Sequence, residues 1–163
     1  MDTVRLGIVG TGYMGRTYAH CARDHNEGVE LAGVTQGSRA PALASDFAVE
    51  HFPEYEDMLR SENVDAVLLA TIHKLHAEQT IAAARHGKHV LVEKPMMTNV
   101  ADCDAMITAC KKAGVTLSVI QTLRYRSVFA RAQKVIEEGQ IGEVRMIQMN
   151  TLWPLGDPGK PWI

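Results

Sequence analysis

Six consecutive residues, Gly10-Thr11-Gly12-Tyr13-Met14-Gly15, have the spacing of a turn that holds an anion. A short apolar run, Val4–Val9, precedes them, and a stretch with a helical pattern (13–25) follows. In that setting each glycine has a task. Gly10 permits the tight turn, Gly12 removes a Cβ where a pyrophosphate must approach, and Gly15 lets the helix pack close to the strand. The free N–H groups of the first helical turn and the helix dipole favour the anion. A G-x-G-x-x-G string by itself is weak evidence. Its place between strand and helix directs it to a dinucleotide.

The end of the second apolar run, Val29–Thr35, bears on which dinucleotide binds. An acid about 20 residues beyond the glycines usually holds the ribose hydroxyls of NAD. Glu30 meets that count but lies near the start of the strand, whereas ligands sit beyond the carboxyl ends. The carboxyl end reads Thr35-Gln36-Gly37-Ser38-Arg39 and has no carboxylate. Nothing there repels a 2′-phosphate, and Ser38 and Arg39 are suited to hydrogen-bond one. NADP is therefore expected over NAD.

Glu93-Lys94-Pro95 follows a further apolar run, Lys88–Val92. At the carboxyl end of a strand, Lys94 can point over the sheet edge toward a bound nicotinamide. An ammonium beside a substrate hydroxyl favours alkoxide character. The Lys–Pro bond is of the kind that can be cis. Spacing alone fits a surface lysine before a turn as well. His73 and His76 are three apart, but no third ligand is placed near them and no metal is expected. His20, His25, His51, His86 and His89 read as surface or packing residues. Cys21, Cys103 and Cys110 form no CxxC, which fits packing roles in a reducing compartment.

The elements that must position these residues alternate along the chain. Strands are predicted at Val4–Val9, Val29–Thr35, weakly at Val49–Phe52, then at Val64–Ala70, Lys88–Val92 and Val115–Ile120. Helices are predicted over 13–25, 39–47, 54–60, 74–86 and 99–113. Asn99 is placed as an N-cap, and Gly87 and Gly114 as stops. Alternation of this kind argues for an α/β fold: a doubly wound parallel sheet of the Rossmann type, with right-handed crossovers. The rhythm changes near residue 123. A helix over 127–138, the turn Gly139-Gln140-Ile141-Gly142 and a long strand at Glu143–Leu152 complete no further βαβ unit. The expected organisation is a dinucleotide-binding domain at 1–123 and the start of an incomplete α+β domain at 124–163.

Bulk properties exclude other classes. The 163 residues carry a formal net charge of −2, so no basic field points to nucleic acid or an anionic membrane. No run approaches the ~18 apolar residues needed to span a bilayer. Met1-Asp2-Thr3-Val4-Arg5 leads straight into a strand and lacks the pattern of a secretory signal. A cytoplasmic protein is expected.

Four segments occur in a specific order: Leu6-Gly7-Ile8-Val9-Gly10-Thr11-Gly12, Val64-Asp65-Ala66-Val67, Leu75-His76-Ala77-Glu78 and Gly87-Lys88-His89-Val90-Leu91-Val92-Glu93-Lys94-Pro95. Through them the chain resembles the glucose–fructose oxidoreductase / inositol dehydrogenase / MocA family of NAD(P)-dependent oxidoreductases. The likeness continues through Arg124-Tyr125 and Gly139-Gln140-Ile141-Gly142-Glu143-Val144.

The resemblance implies a dehydrogenase that transfers a hydride between nicotinamide and a secondary alcohol of a sugar, cyclitol or related polyol. It makes Lys94 the catalytic lysine and gives Glu93 a part in shaping the cofactor turn. It lays Thr71-Ile72-His73 along the nicotinamide half, with His76 nearby. Gln36 takes the position often held by a ribose-binding acid in NAD-using members, which again favours NADP. The family's second domain typically supplies an Asp-x-x-x-His pair, and none occurs after Lys94. The chain therefore reads as the cofactor-binding part of a longer enzyme, expected to be inactive alone and a homo-oligomer when full length. Residues beyond about 124 are expected to be poorly anchored in a monomer or used in a dimer contact. The alternative is a dinucleotide-binding module without catalysis, either a sensor or an inert remnant. A Rossmann methyltransferase is disfavoured by the Glu-Lys-Pro segment.

Overall fold

The structure is a computed structural model and describes residues 3–25 and 27–150. Six strands form one parallel sheet: β1 Val4–Val9, β2 Val29–Thr35, β3 Glu50–His51, β4 Ala66–Leu69, β5 His89–Val92 and β6 Leu117–Val119. Their spatial order is β3-β2-β1-β4-β5-β6. The chain winds outward from β1 in one direction, then returns past it to β4 and winds outward in the other. The crevice beyond the carboxyl ends of β1 and β4 is thus the switch point where such sheets bind ligands.

Helices α1 Tyr13–His25, α2 Ala40–Phe47, α3 Tyr55–Arg60, α4 His76–Arg85 and α5 Val100–Ala113 connect the strands. Adjacent strand residues serve opposite faces. Leu6, Ile8, Ala66 and Leu68 pack with Ala19, Ala22, Leu43 and Phe47 of α1 and α2. Val9, Val67 and Leu69 pack with Met58, Ala83 and Met106 of α3, α4 and α5. This period of two, with both faces covered, explains why the strands read as unbroken apolar runs.

Gly7 and Gly33 face each other across the β1–β2 ladder. A Cβ on Gly7 would lie 2.6 Å from Met58 Sδ, and one on Gly33 would lie 2.6 Å from Phe52 Cε2. Their missing side chains let Met58 and Phe52 seat flat on the sheet. Full burial of a side chain such as Met58 contributes roughly 1.5–3 kcal/mol.

The expected alternation is present, with β1 and β2 at the expected bounds and the other four strands shorter. β3 has two residues and sits at the sheet edge. Asn99 caps α5 by accepting the Asp102 N–H at 2.9 Å, and Gly114 ends it at φ 70°. The predicted start of the helix at 74 divides into a 3₁₀ turn, His73–Leu75, and α4 proper.

The chain divides into two compact units, Met1–Gln121 and Thr122–Ile163. The second holds a 3₁₀ turn, Thr122–Tyr125, and α6 Ser127–Glu137. None of its described residues is buried. The strand expected at Glu143–Leu152 does not form across 143–150, and residues 151 and 152 lie outside the described residues. A strand needs a neighbour to satisfy its N–H and C=O groups, and no described strand pairs with this segment. Among the described residues no helix is long and apolar enough to cross a membrane.

Candidate functional site

The glycine turn leaves β1 and enters α1. Gly10 has φ 95°, and a Cβ there would lie 2.7 Å from the Ala70 carbonyl oxygen at the end of β4. A Cβ on Gly15 would lie 1.9 Å from the Gly10 carbonyl oxygen. These two glycines let the helix, the turn and the neighbouring strand close on one another. Gly12 differs: a Cβ there would have no heavy atom within 4 Å. Its bare face opens to solvent above the first turn of α1, the space an approaching pyrophosphate requires. The residues present therefore fit a dinucleotide.

Thr11 is buried. Its backbone N–H and its hydroxyl both donate to the Gln36 carbonyl, at 3.1 and 2.8 Å. This ties the glycine turn to the end of β2. A cavity of about 230 Å³ lies over the junction, lined by Thr11, Gly12, Tyr13, Arg16, Arg39 and Leu43, among others. Tyr13 is exposed and Met14 half-buried. The structure thus brings Arg39 to the glycine turn. It adds Arg16, which donates to Asp46 at 2.7 Å. Ser38 is exposed and does not line the cavity.

Gln36 has a left-handed backbone, φ 61°, and its side chain reaches α4. Gln79 Nε2 donates to Gln36 Oε1 at 2.7 Å, and Thr71 Oγ1 donates to Gln79 Oε1 at 2.6 Å. The loops after β2 and β4 are thereby joined through one buried amide. Ile72 and His73 are exposed beside Thr71.

His76 is placed differently from its neighbours. It is 1% exposed. Nδ1 lies 3.1 Å from the Pro95 carbonyl oxygen and 3.2 Å from that of Met96, and Nε2 lies 3.2 Å from the Thr71 carbonyl oxygen. The ring clamps the β4 loop to the β5 loop and presents no atom to an open surface. His76, expected near the cofactor, is thus enclosed by backbone carbonyls instead of standing exposed like Ile72 and His73.

Glu93 ends β5 and is buried. One carboxylate oxygen accepts the Tyr18 hydroxyl, and the other accepts the Lys94 backbone N–H at 2.7 Å. Burial and the Glu93 carboxylate together push the Tyr18 hydroxyl above its usual range, so it remains a donor. This carboxylate sets the course of the chain at Lys94 from both sides. The Lys94–Pro95 bond is cis and Lys94 is exposed. Among the described residues its ammonium makes no hydrogen bond or ion pair.

Sequence reasoning missed Gln79, Tyr18 and Arg16. The signal for Gln79 was available. The buried residues of α4 are His76, Gln79, Thr80, Ala83 and Ala84, so a long polar side chain stands on the face that the helix buries. A buried amide must find partners. One partner, Thr71, lies on the segment just before α4, but the other, Gln36, comes from a distant loop that no local pattern reveals.

Residues 4–121 match an oxidoreductase family with an NAD-binding Rossmann fold. The chain belongs to the glucose–fructose oxidoreductase / inositol dehydrogenase / MocA family. It is 33% identical over 141 residues to a 2,7-anhydro-N-acetylneuraminate hydratase of Escherichia coli, covering 86% of this chain and 38% of that protein. It is 29% identical over 150 residues to an inositol 2-dehydrogenase of Salmonella typhimurium, covering 89% and 45%. Among solved structures, the WlbA dehydrogenase of Bordetella pertussis, in complex with NADH and UDP-GlcNAcA, superposes with a TM-score of 0.79 at 33% identity, covering 85% and 42%. The chain therefore spans less than half the length of the relatives it matches.

Proposed function

We propose that this chain is the cofactor-holding part of a dehydrogenase acting on a secondary alcohol of a sugar, cyclitol or related polyol, with NADP preferred over NAD. The observation that carries the reading is the open face of Gly12 in one cavity with Arg39, at the switch point of the sheet. Gly10, Thr11, Gly12, Tyr13, Met14 and Gly15 would hold the pyrophosphate. Gln36, Ser38 and Arg39 would receive the adenosine ribose and its 2′-phosphate. Thr71, Ile72, His73 and Glu93 would border the nicotinamide half, with His76 fixing their backbone.

When bound, the nicotinamide would exchange a hydride with the alcohol carbon. Lys94 would donate to the alcohol oxygen and stabilise negative charge on it. Glu93 would keep the Lys94 backbone in place through its N–H. Relatives named for a hydratase and for dehydrogenases both resemble this half. We accordingly assign the cofactor to this half, and the choice of substrate to the rest of such proteins.

The test is titration of the chain with NADP and NAD separately, followed by absorbance at 340 nm with a panel of sugars and polyols. Tighter NADP binding without turnover is expected. Tighter NAD binding would reject the reading of Ser38 and Arg39. Turnover by these 163 residues would show that they already hold a complete active site. A second reading, a dinucleotide-binding module without catalysis, draws on the same coverage of less than half of each relative. It gains if neither the chain nor any longer protein containing it turns over the panel.

A further inference from the structure

We propose that Gln79, on α4, is a positioning residue for nucleotide choice: it fixes which end of the Gln36 amide is offered to the adenosine ribose. This rests on the NADP reading above and goes beyond it, because it places part of the preference on a different helix from the loop that meets the nucleotide.

The hydrogen bonds run in one direction. Thr71 Oγ1 donates to Gln79 Oε1 at 2.6 Å, and Gln79 Nε2 donates to Gln36 Oε1 at 2.7 Å. A primary amide has one oxygen that accepts and one nitrogen that donates. With its oxygen turned to Gln79, the Gln36 amide turns its NH₂ the other way. A donor suits the oxygens of a 2′-phosphate, which accept. A carboxylate at the same place would accept from ribose hydroxyls and repel a phosphate. The relay therefore has Gln36 present a donor where the acid that selects NAD presents acceptors.

Three features hold the relay in place. Gln79 is 3% exposed, so turning its amide away would leave buried polar atoms unpaired. Its backbone carbonyl accepts the Tyr55 hydroxyl at 2.9 Å, which anchors that turn of α4. On the other side, the Gln36 carbonyl accepts both Thr11 bonds. A Cβ on Gly37 would lie 2.7 Å from Thr11 Oγ1, so the β2 loop cannot shift to free the side chain without displacing the glycine turn.

The experiment measures Kd for NADP and for NAD at one ionic strength, in the wild-type chain, in Gln79→Met, in Gln36→Met and in the double variant. Gln79→Met keeps the volume and removes the amide. The preference for NADP over NAD is expected to fall about tenfold, the equivalent of one charge-assisted hydrogen bond. The double variant is expected to show no further fall beyond Gln36→Met, because Gln79 acts through Gln36. A purely structural role would weaken both nucleotides alike and leave the ratio unmoved. Thr71→Val, which removes the first donor and keeps the shape, is expected to lower the same ratio, and it serves if Gln79→Met does not fold. A ratio within twofold of wild type in the folded variants, or additive effects in the double variant, overturns the relay and leaves the NADP reading standing. A wild-type chain that prefers NAD overturns both.

Discussion

At the amino ends of β1, β4 and β5, Arg5, Asp65 and Lys88 are tied down. Arg5 binds Asp65 through two side-chain donors, Nε at 2.9 Å and Nη2 at 2.6 Å, and adds its backbone N–H at 2.9 Å. Lys88 donates to the carbonyls of Ser61 and Val64 at 2.8 and 2.7 Å. At the carboxyl edge of the sheet, Lys94 after β5 and Arg39 after β2 are exposed, and among the described residues their charged groups make no hydrogen bond or ion pair. What is buried there instead is hydrogen-bonded scaffolding: Thr11, His76 and Gln79, with one carboxylate, Glu93. One edge uses charge to join strands. The other uses hydrogen bonds between loops to hold a surface with its cations outward. Two lysines six residues apart, Lys88 and Lys94, thus have opposite work because they stand at opposite ends of β5.

The largest effect should come from closing the functional edge itself. Gly15→Ala places a Cβ 1.9 Å from the Gly10 carbonyl oxygen, which must move. A loss of about 1–3 kcal/mol of stability is expected from overpacking, with nucleotide binding reduced more than tenfold. Denaturant melts and titrations on the same sample check both. Retained affinity would show that the turn does not depend on this contact.

Lys88→Ala should act on the other edge alone. Two carbonyls lose a charged donor that is half-exposed, so about 1–2 kcal/mol of stability should go while nucleotide affinity stays within twofold. If affinity falls with stability, the two edges are coupled and the contrast weakens.

Acid should also loosen the amino edge. The Arg5 guanidinium holds the Asp65 carboxyl down to about 2. A depressed carboxyl stabilises the fold above its unfolded value and loses that contribution as pH falls toward the folded one. Stability attributable to this pair should therefore be intact above about pH 4 and disappear toward pH 2. Asp65→Asn should flatten that part of the acid-denaturation curve, and an unchanged curve would remove the pair from the account.

The smallest expected change is Lys94→Met. Its exposed side chain holds nothing together, so stability should stay within about 0.5 kcal/mol of wild type. A thermal melt that drops well beyond this would mean that Lys94 belongs with Lys88 as a fastening residue.

Much of the fold was legible because its signals are local. Apolar runs, the Asn99 cap and the glycine stops report on a few neighbouring residues and on burial of both sheet faces. The strand expected at Glu143–Leu152 failed where the signal was not local: an apolar pattern indicates a strand, but pairing requires a neighbour. The candidate site divides the same way. The glycines, Gln36, Arg39 and Lys94 are legible as candidates because strand ends mark them. His76 is legible as a candidate too, but spacing places a ring near a site without saying which atoms meet it. Gln79 and Tyr18 were missed because a partner of each, Gln36 and Glu93, lies 43 and 75 residues away in the chain.

The sequence by itself determined the parallel sheet, the turn after β1, the lack of an acid at the end of β2 and the placing of a lysine after β5. These follow from residue type and short spacing, which set backbone freedom, periodicity and charge. Only the tertiary structure decided that Gly12 alone among the turn glycines faces open space, that His76 is a clamp and that Gln79 donates to the Gln36 amide oxygen. Each of these depends on atoms from separate loops meeting within hydrogen-bonding or van der Waals distance. Such meetings are set by the packing of the whole sheet and its helices, not by any stretch of chain.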